Sequence, residues 1–195
     1  GCSSAYHNFI PHVTCVKLTV DQKYLCAVDS GLDHVKVYEV DYENGKLKLF
    51  NIIRGHIDSA PRMIRFRREL YCVYVLCEGD NNIYVYHYKT DKCMAKGMEL
   101  VQIIGTSDTT ENIPYAASGI EFSPDGKHLF VTNAGINTAM IYDVDKETGL
   151  LTKNCENSLG GDYPKTVAVM PDNEHFIALN NGGNEICIFR MNYDK

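Results

Sequence analysis

No run of about 18 apolar residues occurs anywhere in the 195 residues, so nothing reads as a transmembrane helix. No basic block occurs either. The 19 Lys and Arg are outnumbered by 25 Asp and Glu, and the net charge of −6 lacks the electrostatic footprint of nucleic-acid binding. The eight cysteines form no CxxC pair, which excludes a zinc ribbon and a thioredoxin-type redox motif. There is no HExxH or comparably spaced ligand set, so no metal and no other cofactor is expected. Sustained helical periodicity is missing as well, and almost no helix is expected. The opening GCSSAYHNF lacks the basic-then-apolar form of a signal peptide, and residues 1–10 contain no complete strand pair. Cys15, Cys26, Cys72 and Cys187 lie in apolar runs, where a thiol acts as a small hydrophobe; a reducing, cytoplasmic location is the corollary.

What the chain does contain is a repeated unit, clearest in Ser118–Val144, SGIEFSPDGKHLFVTNAGINTAMIYDV. Two short apolar runs flank Pro124-Asp125-Gly126-Lys127. Pro presets one turn dihedral, Asp bonds its own backbone, and Gly takes the left-handed position, so the stretch reads as a hairpin. A third run ends at Tyr142. Versions of that run, HVKVYEV, NIYVYHY, TAMIYDV and EICIFRM, are anchored at Tyr38, Tyr86, Tyr142 and Phe189, successively 48, 56 and 47 residues apart. A period of roughly 40–50 residues built from short strands is the sequence sign of a β-propeller blade. The expected fold is therefore all-β, a single array of about four blades of antiparallel four-stranded sheets, with repeats at 11–59, 60–113, 114–160 and 161–195. The long connection around Ile104–Pro114 is polar and reads as a surface loop.

The anchors let the repeats be stacked on one another. Eight residues back lie Ser30, Glu78, Ala134 and Asn181; nine back lie Asp29, Cys77, Asn133 and Asn180; twenty-four back lie Thr14, Arg62, Ser118 and Lys165. These positions are mostly polar although each borders an apolar strand. Antiparallel pairing brings the twenty-four-back and eight-back columns to one end of a blade, so Arg62 and Glu78 should meet, with Thr14 beside them. The structural reading of the same residues is turn chemistry and an ion pair. His56 and His128 read as surface residues.

PHV at the start, PR before a strand, xPDGKxLFVTN and the terminal FxALNN make the chain resemble the lactonase family of seven-bladed propellers, over nearly its whole length. That resemblance implies hydrolysis of a sugar-acid lactone of the 6-phosphogluconolactonase type, with a small-molecule lactone or sugar acid as ligand. It implies a catalytic role for Arg62 and Glu78. The family's His falls at Thr14 and its second Arg at Ala134, so His12, two residues before Thr14 on the same strand face, is the substitute candidate. Thr14, Asn133, Lys165 and Asn181 are the expected substrate-binding positions. With these two replacements the chain alone is expected to be a weak lactonase, and a non-catalytic binding scaffold is the alternative. Four blades of a seven-blade design also imply a fragment or a truncated relative, whose ends would be covered by the missing blades or by a second copy in a homo-oligomer.

Overall fold

The computed structural model describes residues 10–88 and 98–192, and they form fifteen strands in four antiparallel sheets. The chain divides into two compact units, Cys2–Ile103 and Ile104–Lys195.

In the first unit the strands are β1 (Val13–Leu18), β2 (Tyr24–Asp29), β3 (His34–Asp41) and β4 (Lys46–Arg54), paired in chain order as one sheet. A second sheet follows in the same order: β5 (Pro61–Arg67), β6 (Cys72–Cys77), β7 (Asn82–Tyr88) and β8 (Met98–Gly105), the last two residues of β8 falling in the second unit. The only helical element among the described residues is a 3₁₀ turn at Arg68–Leu70, in the place where the RRE stretch reads as a turn. None of the described helices is long and apolar enough to cross a membrane. Alternation places Cys26, Val28, Val35 and Val37 on one face of the first sheet, against Ile64, Val75, Tyr84 and Tyr86 of the second. Burying each such aliphatic side chain is worth about 1.5–3 kcal/mol.

The second unit repeats the plan with β9 (Ala116–Phe122), β10 (His128–Ala134), β11 (Thr138–Val144) and β12 (Leu151–Ser158). Its other sheet contains β13 (Pro164–Val169), β14 (His175–Asn180) and β15 (Glu185–Arg190), three strands among the described residues. Phe130, Ala139, Leu159, Val167, Phe176 and Ala178 form the core between these two sheets. At the Pro-Asp-Gly hairpin, Asp125 Oδ1 accepts from Ser123 Oγ at 2.7 Å and from the Lys127 amide at 3.0 Å, and Gly126 takes φ 70°.

A second device recurs five residues before each anchor. Asp33, Asn81, Asn137 and Asn184 all occupy left-handed backbone, at φ 49°, 55°, 56° and 50°. The Asp33 carboxylate accepts the amides of Asp58 and Ala60 at 2.8 Å each, reaching the entry of the next blade. Asn137 Oδ1 accepts the Tyr163 amide at 2.9 Å in the same way. Ala60 and Tyr163, two residues before Arg62 and Lys165, are themselves left-handed at φ 46° and 56°. One side chain thus fastens each blade to its successor inside a unit.

The expected surface loop Ile104–Pro114 holds for residues 107–114, which are irregular and largely exposed, and needs correction only at its start. Ile104 and Gly105 end β8, Thr106 is fully buried, and the segment after it is held by Glu156. That carboxylate accepts from Ser107 Oγ at 2.8 Å, the Asp108 amide at 2.8 Å and Thr138 Oγ1 at 2.6 Å. Lys153 Nζ adds bonds to Ser107 O at 2.6 Å and Asp108 Oδ1 at 2.7 Å. The loop's polar groups thus face solvent, and its first residues are also anchored to β12.

Candidate functional site

Each of the four twenty-four-back residues is the extra residue of a β-bulge. In the first unit Val13 opposes Asp29 and Cys15 opposes Val28, leaving Thr14 over; Pro61 opposes Cys77 and Met63 opposes Leu76, leaving Arg62. In the second unit Ser118 is left over between Ala117 and Gly119, and Lys165 between Pro164 and Thr166. A bulge breaks the in–out alternation and re-aims one side chain. That is why a polar residue recurs where the strand pattern calls for an apolar one.

In the first unit the bulge aims Arg62 at the residue following β6. Arg62 Nη1 donates to Glu78 Oε2 at 2.6 Å, a short charge-assisted bond. The two side chains are 22% and 12% exposed, so the pair is accessible from solvent without being screened like a free surface pair. The Glu78 amide donates to Ala60 O at 3.0 Å, fixing the backbone beneath the carboxylate. Thr14 is beside Arg62, as the columns require, but through the main chain: its hydroxyl donates to Arg62 O at 2.8 Å. His12 is exposed and reaches Ser30 of its own blade, with Nδ1 3.2 Å from Ser30 Oγ and its amide donating to Asp29 Oδ1 at 2.9 Å.

In the second unit the counterparts are dispersed. Asn133 was expected to contact substrate, but it is fully buried and its Nδ2 donates to Thr106 O at 2.7 Å. It belongs to the nine-back column, the last or, in the third blade, the next-to-last residue of the second strand, and Asp29, Cys77, Asn133 and Asn180 are all buried. Lys165 holds its ammonium 5.0 Å from the centre of the Tyr163 ring, a cation–π contact. Asn181 is exposed, with its amide donating to Tyr163 O at 3.0 Å. Ala134, at the position of Glu78, is buried and brings no polar side-chain atom.

Sequence reasoning missed one cluster in the first unit. Tyr84, buried in the core, donates from its hydroxyl to Asp80 Oδ2 at 2.5 Å, and its oxygen lies 3.1 Å from His56 Nδ1. Burial first, and then the Asp80 bond, pushes the Tyr84 phenol far above its usual range. His56 is exposed, as expected, but tied down rather than free. The only available signal was Tyr84 itself, a core-facing tyrosine whose hydroxyl needs a partner.

Four antiparallel sheets, each with a bulged first strand and a left-handed second turn, define a β-propeller. Residues 7–195 match the lactonase, 7-bladed β-propeller family, and the chain belongs to it. It is 25% identical over 179 residues to the 6-phosphogluconolactonase of Bacillus subtilis, covering 92% of this chain and 50% of that protein. A 6-phosphogluconolactonase of Formosa agariphila is 23% identical over 188 residues, covering 94% of this chain and 52% of the relative. Among solved structures, the periplasmic gluconolactonase of Pseudomonas aeruginosa superposes with a TM-score of 0.86 at 23% identity, over 94% of this chain and 51% of that one, a likeness of fold. The chain spans about half the length of the curated relatives it matches.

Proposed function

We propose that this chain carries the catalytic corner of a lactonase that opens a sugar-acid lactone of the 6-phosphogluconolactonase type. The observation that carries the reading is the Arg62–Glu78 pair, accessible, 2.6 Å apart and presented by a bulge. Lactone opening needs a base for water and donors for the oxyanion. Glu78 Oε1 is the base: as the water oxygen bonds to the lactone carbonyl carbon, the carboxylate takes its proton. The guanidinium of Arg62 stabilises the developing oxyanion. When the tetrahedral centre collapses, the ring C–O bond breaks and the proton passes to the departing ring oxygen, leaving the open-chain acid. His12, held to Ser30, is the alternative base, and Thr14 places Arg62 by gripping its carbonyl. Lys165 and Asn181 remain candidate contacts for the acid or phosphate group. A cytoplasmic site of action accompanies this reading, supported by Cys26, Cys72 and Cys77, which are buried as small apolar side chains.

The test is hydrolysis of 6-phosphogluconolactone above its spontaneous rate. Glu78→Gln and Arg62→Met should each remove about 10²-fold of any enzymic rate. Variants that turn over as fast as the parent end the lactonase reading. A second reading, a binding scaffold, is favoured by Thr14 and Ala134, which supply neither the His nor the second Arg. It predicts saturable binding of 6-phosphogluconate, weakened by Arg62→Met, with no turnover in the parent.

A further inference from the structure

His56, Tyr84 and Asp80 form a chain of hydrogen bonds that the proposed reaction does not use. Its proton order follows from the donors available. A carboxylate only accepts, so the 2.5 Å bond between Tyr84 and Asp80 takes the single phenolic proton. Burial keeps that phenol protonated. The tyrosine oxygen is then the acceptor for His56 Nδ1, 3.1 Å away, so the imidazole carries its proton on Nδ1 and leaves Nε2 bare. The two rings stand edge to face, with centroids 5.1 Å apart and planes at 89°.

The three residues come from elements that meet around the charged pair. His56 lies in the loop that leads into Arg62, Asp80 in the turn after β6 two residues beyond Glu78, and Tyr84 in the core on β7. Loop and turn also touch through the main chain, where the Glu78 and Gly79 amides donate to Ala60 O and Ser59 O at 3.0 Å each. Tyr84 is the one hydrogen-bond partner of the Asp80 carboxylate among the described residues, and Asp80 Oδ1 is buried with none. Removing the phenolic oxygen leaves that carboxylate without a donor, a cost relieved by moving the turn toward water.

A blade does not need this chain. Six and two residues before the anchors, where the second blade has Asp80 and Tyr84, the first has Leu32 and Lys36, the third Ile136 and Met140, and the fourth Gly183 and Cys187. Those blades fold in the same antiparallel order without it. Their twenty-four-back and eight-back residues are Thr14 and Ser30, Ser118 and Ala134, and Lys165 and Asn181, none an oppositely charged pair. The hydrogen-bonded chain therefore accompanies the charged pair and not the fold.

We infer that Tyr84 is a positioning residue for Arg62 and Glu78: its hydroxyl, held between His56 and Asp80, ties the loop that leads into Arg62 to the turn that follows Glu78. Its effect on rate rests on the lactonase reading, and its effect on the geometry of the pair does not.

The test uses the full chain with Tyr84→Phe, His56→Ala and His56→Asn, the last keeping a side-chain N–H near the place of Nδ1. Nitrogen-15 spectra of the parent at pH 8 should show His56 protonated on Nδ1 and bare on Nε2, a preference that Tyr84→Phe abolishes. The coupling between Arg62→Met and Glu78→Ala, read from urea unfolding, should fall at least about threefold when the cycle is repeated in the Tyr84→Phe and His56→Ala backgrounds. With 6-phosphogluconolactone, Tyr84→Phe should lower kcat about tenfold and leave KM within about twofold, the pattern of misplaced catalytic groups and not of lost binding. His56→Asn should recover most of what His56→Ala loses. His56 is exposed, so its two variants decide the matter even if Tyr84→Phe does not fold. Three results overturn the inference: a lower urea midpoint with the Arg62–Glu78 coupling unchanged, His56 protonated on Nε2 in the parent, or His56→Asn no better than His56→Ala. Coupling and tautomer are read without turnover, so an inactive parent ends the lactonase reading alone.

Discussion

The two units use one repeat to opposite ends. In the first, the bulge position and the residue after the second strand hold Arg62 and Glu78, joined and accessible. In the second, the third blade puts Ser118 and Ala134 at those positions, both buried, and Ser118 turns inward to bond Thr132 O at 3.0 Å. Identical backbone therefore presents a charged pair in one place and extends the core in another. The scaffold fixes where a side chain emerges, and the residue type alone decides whether that place is a site.

The largest effect should come from the tighter packing of the second unit. Gly119 follows the bulge where the second blade has Met63, and a Cβ there would meet Thr166 Cα at 2.7 Å and Val167 N at 2.9 Å. Because the obstacle is backbone, Gly119→Ala should cost about 3 kcal/mol, read from urea unfolding. Gly45→Ala, with nothing near its Cβ but φ +61°, should cost only about 1–2 kcal/mol of left-handed strain. A small effect at Gly119 would erase the distinction between the units.

Breaking the charged pair comes next. Glu78→Ala should lower stability by about 2 kcal/mol, the range for a hydrogen bond to a charged group, while Ser118→Ala should cost about 1 kcal/mol. A double-mutant cycle of Glu78→Ala with Arg62→Met isolates the coupling. A coupling near zero would mean that the pair is no more than two neighbouring surface charges. Thr14→Val should cost about 1 kcal/mol through the lost bond to Arg62 O, with Thr14→Ser close to the parent.

The smallest effect is a pH dependence centred on His34 in the first unit. Burial lowers the His34 pKa from its usual 6.5, partly opposed by Asp29, while Lys36 and Arg54 lower it further. The unfolded chain binds this proton near pH 6.5 and the folded chain only at lower pH. The stabilisation is therefore complete above about pH 6.5 and declines as pH falls toward the folded value. Urea midpoints between pH 8 and pH 5 should show this decline in the parent and lose it in His34→Gln. An unchanged slope in the variant would assign the decline to another group.

Strands, turns and the period were legible in the sequence because alternation and Pro-Asp-Gly chemistry are local. Stacking the repeats was enough to bring Arg62 to Glu78, since antiparallel pairing follows from the hairpin. The bulges were not legible. Thr14, Arg62, Ser118 and Lys165 are all polar, but a polar residue in a strand reads equally well as a solvent-facing position, so it does not mark an extra residue. Asn133 and Asn181 look alike in sequence, yet they occupy adjacent columns, and one step along an extended chain separates a buried amide from an exposed one. The role of Glu156 depends on contacts nearly 50 residues away, beyond any local pattern.

The bulge also determines where these strands can tolerate a change of length. Deleting one residue within a regular part of β5 would slip the pairing with β6 and exchange the buried side chains for the outward ones. Deleting Arg62 instead leaves Pro61 opposite Cys77 and Met63 opposite Leu76, so the ladder closes into ordinary pairing. A library of single-residue deletions through Pro61–Arg67 should accordingly yield folded protein at one position and aggregates at its neighbours. In that sense the candidate catalytic arginine is a removable insert, and a blade could gain or lose such a residue in one step without redesigning its core.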